Sequence, residues 1–192
     1  MKRILVIWCI VAFGVSCQND ILPKPKAYLR LEYPAPNYKQ VQPNLPFTFE
    51  KNTLADSLGR PKVARDQKSI GLDLEYPNMK GTIYLTYKKV NEDNLRDLLI
   101  DAQKITQEHT IKADAIVEQP YINEEKRVFG MFYEVGGNAA SQSQFYVTDS
   151  VKHFVTGSLY FYAKPNYDSI LPAAYYLRND IKHLMETIKW VN

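Results

Sequence analysis

Proline is distributed unevenly along this chain, and its distribution limits where a packed domain can lie. Six of the eleven prolines fall between Pro23 and Pro46. Proline has no backbone N–H and a fixed φ, so it is excluded from helix interiors and from central strands. We therefore expect residues 17–46 to form an extended stalk. The remaining residues, 47–192, are enough for a single domain.

The N-terminus has the pattern of a secretory signal peptide. Lys2 and Arg3 precede an apolar run at 4–13, which is well short of the roughly 20 residues that a membrane-spanning helix needs. Small residues then lead to Cys17, as in a lipobox. We expect residues 1–16 to be removed and Cys17 to carry palmitate and related acyl chains as the first mature residue. The alternative is an ordinary secretory signal in which Cys17 has no role.

The composition of the exported chain excludes several classes of protein. Its only other cysteine, Cys9, lies in the segment predicted to be removed, so no internal disulfide can form. Without Lys2 and Arg3, 22 basic residues (24 minus 2) face 21 acidic residues, a net charge of +1. A nearly neutral chain lacks the basic surface typical of nucleic-acid binding. The 14 Tyr and 7 Phe residues of the exported chain (8 minus Phe13) are enough to build a core and favour a sheet.

Apolar periodicity predicts the elements of the domain. Alternating or aromatic-rich runs predict strands at 47–50, 70–76, 82–90, 126–135, 142–148 and 153–163. Spacings of three and four predict one helix with the buried stripe Leu95, Leu98, Leu99, Ala102, Ile105 and His109. A second helix is predicted at 168–190. This order, with hairpins between neighbouring strands, predicts an α+β fold with an antiparallel sheet flanked by helices and a long C-terminal helix.

No pattern of catalytic or metal-binding residues stands out. The three histidines, His109, His153 and His183, have no partner at metal-ligand spacing. Asp73 and Glu75 lie two apart on one strand face, which could serve acid–base chemistry but is more typical of a solvated strand. We therefore expect no enzyme activity, no catalytic residues, no metal and no cofactor. A hydrolase would need a cleft that joins His153 or His183 to a carboxylate.

Two segments are predicted to contact partner proteins. The first is an extended stretch of the stalk whose apolar residues a free linker would not need: Tyr28, Leu29, Arg30, Leu31 and Tyr33. Its alternative role is to pack on its own domain as an edge strand. The second is a loop at 136–143 with small, uncharged polar residues, in which the candidate contacts are Gly136, Gly137, Asn138 and Ser141. Its alternative is a plain hairpin connection.

Five blocks of the sequence resemble the gliding motility lipoprotein GldD family. They are PKPKAYLRLEYP at 23–34, LPFTFE at 45–50, MKGTIYL at 79–85, GMFYEVGGNAASQSQFYVTD at 130–149 and YFYAKPN at 160–166. The resemblance implies a non-enzymatic cell-envelope lipoprotein that is required for gliding and linked to the type IX secretion machinery. Its partners would be other envelope proteins of that machinery, together with the lipid bilayer. At the level of fold alone, the order of elements is similar to the Mog1/PsbP-like sandwich.

The sequence leaves alternatives open for the membrane to which the protein is anchored and for its function. Gln18 is not an acidic residue that would retain a lipoprotein at the inner membrane, so we expect the outer membrane, with the protein facing the periplasm. The second hypothesis for function is a periplasmic lipoprotein that binds a small ligand in a pocket beside the sheet. A cavity of roughly 300 Å³ or more would be needed for that role.

Overall fold

The computed structural model describes residues 31–56, 58–65, 67–108, 113–137, 139–162 and 167–191, with only the backbone of Glu108 and Tyr167. The strands are β1 (Tyr38–Val41), β2 (Phe47–Asn52), β3 (Lys62–Val63), β4 (Ser69–Tyr76), β5 (Gly81–Lys89), β6 (Ala113–Asn123), β7 (Val128–Gly137), β8 (Ser141–Thr148), β9 (His153–Phe161) and β10 (Lys189–Trp190). The helices are α1 (Leu95–Glu108), α2 (Tyr167–Thr187) and a 3₁₀ turn (Pro77–Met79).

These strands form two antiparallel sheets. The larger has seven strands in the order β3-β4-β5-β9-β8-β7-β6, and the smaller has three in the order β1-β2-β10. Every neighbouring pair is antiparallel. The predicted α+β class, with an antiparallel sheet and a long C-terminal helix, is confirmed.

The two helices lie on opposite faces of the large sheet. The main core joins Phe49 of β2, Leu85 of β5 and Leu177 of α2, so α2 and the small sheet together cover one face. A second cluster joins Leu98 and other residues of α1 to aromatic side chains on the other face. Because both faces are covered there, β8 is buried along its whole length. Within the described residues, no helix is long and apolar enough to cross a membrane.

The predicted boundary between stalk and domain lies too late in the chain. Tyr38–Val41 forms β1 and pairs with β2 in the register Tyr38 to Asn52. The stalk predicted for residues 17–46 thus includes part of the folded domain. Its residues before Leu31, with Cys17 and the signal peptide, lie outside the described residues, and so does His109.

Several predicted element ends need correction. The C-terminal helix stops at Thr187, because Lys189–Trp190 pairs with Thr48 and Phe47 of β2. Ile105, assigned to the buried stripe of α1, is 46% exposed. The predicted loop at 136–143 is much shorter, since β7 extends to Gly137 and β8 begins at Ser141.

Substitution of Gly157 tests the packing in the large sheet. Its partner in the register is Phe145, whose ring occupies the space where a Cβ on residue 157 would lie. Gly71 of β4 has ordinary room, with its nearest atom 3.8 Å from the position of a Cβ. We expect Gly157→Ala to lower the free energy of unfolding by about 1–3 kcal/mol. Gly71→Ala should instead raise it by about 0.5–1 kcal/mol, because alanine loses less entropy in a strand.

Urea unfolding of the two variants and the parent chain measures both changes. Equal effects of the two substitutions would contradict the packing of Phe145 against Gly157.

Candidate functional site

A buried carboxylate of α2 holds β1 in place. Asp180 of α2 is only 3% exposed. One of its oxygens accepts a hydrogen bond from the Tyr38 hydroxyl at 2.7 Å, and the other accepts one from Asn52 Nδ2 at 2.8 Å. Tyr76 of β4 also hydrogen-bonds to Asp180. This carboxylate therefore joins β1, β2 and the large sheet at a single point.

The electrostatics of Asp180 reflect two opposing effects. Burial raises the pKa of this carboxyl group above its ordinary value, because the charged form loses its hydration. The hydrogen bonds from Tyr38, Asn52 and Tyr76 lower the pKa, but they do not cancel the effect of burial. Burial followed by the bond to Asp180 raises the pKa of Tyr38, so its hydroxyl stays a donor.

His183 does meet a carboxylate in this junction. Its Nε2 lies 2.8 Å from Oε2 of Glu50, and the ring of Tyr38 stacks on the imidazole with centroids 3.7 Å apart. The nearby hydroxyl of Thr187 donates to the backbone carbonyl of His183 rather than to its ring. The Tyr38 ring covers one face of the imidazole, while the side chains of His183 and Glu50 remain 30% and 43% exposed. The pair joins α2 to β2 at the surface of the junction.

His153 lies in a separate cluster at the turn between β8 and β9. Its Nδ1 is 3.0 Å from the Tyr87 hydroxyl, and its ring stacks on Trp190 with centroids 5.2 Å apart. Burial lowers the pKa of His153, which favours the neutral ring. One carboxylate oxygen of Asp149 accepts the backbone N–H groups of Val151, Lys152 and His153, and so closes the turn.

Asp73, which the sequence analysis considered together with Glu75, forms a surface ion pair with Lys62. Lys62 Nζ lies 2.7 Å from Asp73, and the Lys62 side chain is 73% exposed. Both residues line a polar depression of about 230 Å³ together with Glu75. An exposed ion pair of this kind contributes little to stability. In the described part of the chain, no group of three or more His, Cys, Asp and Glu residues could hold a metal ion.

The described residues of the first predicted contact segment lie near α2. Tyr33 packs on the main core, with its ring centroid 5.3 Å from that of Tyr176. Leu31 is 48% exposed. Neither residue is in a strand, and Tyr28, Leu29 and Arg30 lie outside the described residues. Tyr33 thus packs on its own domain without forming the edge strand of the alternative, while Leu31 stays accessible.

The second predicted contact segment borders a groove between α2 and the end of the large sheet. The groove has a volume of about 170 Å³, and Gly136 and Ser143 line it. Gly137 adopts φ of +87°, and Ser141 is fully buried with its hydroxyl bonded to the carbonyl of Ser143 at 3.2 Å. Asn138 lies outside the described residues. The two predicted segments contact different residues of α2.

The wall of this groove contains residues that the sequence did not single out. Arg178 of α2 pairs with Glu134 of β7 at 2.9 Å, and its guanidinium lies over the ring of Tyr175 at 4.8 Å. The buried hydroxyl of Ser143 has no hydrogen-bond partner among the described residues. At about 170 Å³ the groove is smaller than a typical small-ligand pocket of 300 Å³ or more. It suits a single side chain better than a whole ligand.

The pH dependence of the free energy of unfolding tests the raised pKa of Asp180. Because its pKa is raised in the folded state, its stabilising contribution is complete below the unfolded value near 3.8 and is lost as pH rises through the folded value. We expect the parent chain to lose stability relative to Asp180→Asn as the pH rises from the unfolded value through the folded value. In Tyr38→Phe this loss should be larger and should continue to higher pH, because a hydrogen bond that lowers the pKa is gone.

Urea unfolding of the three proteins at several pH values provides the measurement. A difference between the parent chain and Asp180→Asn that is the same at all pH values would contradict the raised pKa of Asp180.

Comparison with known proteins identifies one match. The model of a family described as gliding motility lipoprotein GldD matches residues 18–190, which is most of the chain. No curated protein and no solved structure matches. The similarity to the Mog1/PsbP-like sandwich therefore stays a prediction.

Proposed function

The chain belongs to the gliding motility lipoprotein GldD family, and on this premise we propose that it is a non-enzymatic component of the gliding and type IX secretion machinery in the cell envelope. The proposal rests on the observation that the titratable residues of its polar clusters are engaged in structural hydrogen bonds. Asp180, His183 and Asp149 are all held in hydrogen bonds that join strands, helices and turns. A structural and docking role needs no other chemistry from them.

The membrane anchor we propose is Cys17, directly before the span that the family model matches. Two or three acyl chains would hold the protein firmly, since each buried CH₂ contributes about 0.8 kcal/mol. Glu32 interacts with another residue and Tyr33 packs on the domain, so the tether from Cys17 through Leu31 has 15 residues (31 minus 16). Such a tether spans at most about 55 Å. The domain would therefore work close to the membrane, which we propose is the outer membrane on its periplasmic side.

We propose that the domain's partners are other envelope proteins of the same machinery. The mature chain is nearly neutral, which argues against contact driven by long-range charge. Leu31 in the tether and Gly136 at the groove remain our candidate contacts, because the first is half exposed and the second borders an open groove. The alternative of a small-ligand carrier finds little support in a groove of about 170 Å³.

A complementation experiment tests both the role and the anchor. A strain that lacks this chain should fail to spread on agar and fail to export a type IX cargo, and the parent gene should restore both. Cys17→Ser should restore neither, because the chain would not stay at the membrane. Metabolic labelling with an alkyne fatty acid should mark the parent chain and not Cys17→Ser.

Each result can oppose the proposal separately. Normal spreading and export without the chain would overturn the role in gliding and secretion. Equal labelling of the two proteins would overturn the anchor at Cys17 and leave the role standing.

A further inference from the structure

Among the described residues, β6 is an edge strand of the large sheet with no neighbour on its outer side. It has 11 residues and pairs with β7 on one side, at the end of the strand order. Val117 is 52% exposed and Ile122 is 69% exposed. A long edge strand with exposed apolar residues presents backbone groups to which another extended chain can add.

Pro120 indicates which backbone groups of β6 face the open side. Proline cannot donate to a ladder, so in an edge strand its nitrogen faces away from the neighbouring strand. In an antiparallel pair this orientation alternates from one residue to the next. Ile116 and Glu118 share the orientation of Pro120, so their N–H groups point to the open side. Pro120 itself ends the run of donors, and this limits pairing to the part of β6 before it.

The groove lies beside this same part of β6. Ala115 and Val117 line it from the strand, while Tyr175 and Arg178 line it from α2. An added strand would place its alternate side chains next to Val117, over the groove. Tyr and Arg are the residue types that most often dominate binding energy at interfaces. The groove can thus receive one apolar side chain of an extended segment.

The charge of this edge selects the partner. The part of β6 before Pro120, residues 113–119, includes no Lys or Arg, and its two acidic residues, Asp114 and Glu118, are both exposed. A second copy of this chain paired through β6 would bring acidic side chains together, which is unfavourable. A strand with Lys or Arg opposite Glu118 would instead form cross-strand ion pairs.

We propose that β6, from Ala113 to Gln119, binds an extended segment of a partner protein in which apolar residues alternate with Lys or Arg. The backbone of that segment pairs with Ile116 and Glu118, and an apolar side chain enters the groove. The inference specifies the chemistry of a partner in the envelope machinery. It therefore rests on the proposed role in that machinery.

A designed peptide tests the site. The probe is a seven-residue peptide of alternating Lys and Val, added to the acylated full chain in detergent micelles and followed by titration calorimetry. We expect saturable binding that weakens about three- to tenfold in Glu118→Lys, because a cross-strand ion pair becomes a repulsive pair. Glu75→Lys, the same charge change on β4, should leave binding within about twofold.

A change in the probe tests the backbone pairing without altering the protein. The same peptide with N-methyl groups on alternate residues cannot donate hydrogen bonds along one edge, so one of the two methylation patterns should abolish binding. A matched peptide of alternating Glu and Val should not bind. Absence of saturable binding by the Lys–Val peptide, or equal binding to the parent chain and Glu118→Lys, would overturn the proposal. A dimer of the chain that blocks the peptide would overturn it too, by identifying a second copy as the occupant.

The complementation strain separates this site from the proposed role. If the strain that lacks the chain spreads normally, the proposed role is wrong. If that strain does not spread and the Lys–Val peptide does not bind the purified chain, only the proposed β6 site is wrong.

Discussion

The burial of one carboxylate at the junction of the two sheets is the constraint on which the rest of this structure depends. A carboxylate as buried as Asp180 is tolerated only when its oxygens are hydrogen-bonded. Its donors come from β1, β2 and β4, so satisfying the charge requires the small sheet, the large sheet and α2 to meet. Removing a donor leaves a buried charge less compensated, which makes the junction cooperative. The fold therefore includes its N-terminal strand as an essential part.

This arrangement has a consequence for a lipid-anchored protein. Force or displacement at the tether reaches Tyr33 and β1 first, and these residues are held on α2 and β2. The groove and the β6 edge are bounded by the same helix, through Tyr175 and Arg178. α2 thus connects the segment next to the proposed tether to the surface that we propose for partner binding.

The sequence predicts the elements that have a regular local pattern of apolar residues. It misses elements whose position depends on contacts with residues far away in the sequence. α2 and the central strands have regular apolar spacing, so both were predicted. β1 depends on Tyr38 bonding to Asp180, 142 residues away, and its own residues show no strand signal. β6 contains Pro120 and has solvent on one edge, so its apolar residues do not alternate cleanly. Gly136, a predicted contact residue, lines the groove, but Tyr175 and Arg178, which line it too, have the pattern of ordinary surface residues on a helix.

Native-state hydrogen exchange on the acylated full chain tests the central claim most directly. If Asp180 makes β1 part of the cooperative fold, the amides of β1 that bond to β2 should exchange with nearly the same free energy of opening as the amides of β2 itself. In Asp180→Ala, β1 should open at a much lower free energy while α2 and the large sheet keep most of their protection. Fast exchange of β1 in the parent chain would contradict the account, since it would show that this strand is a loose part of the tether.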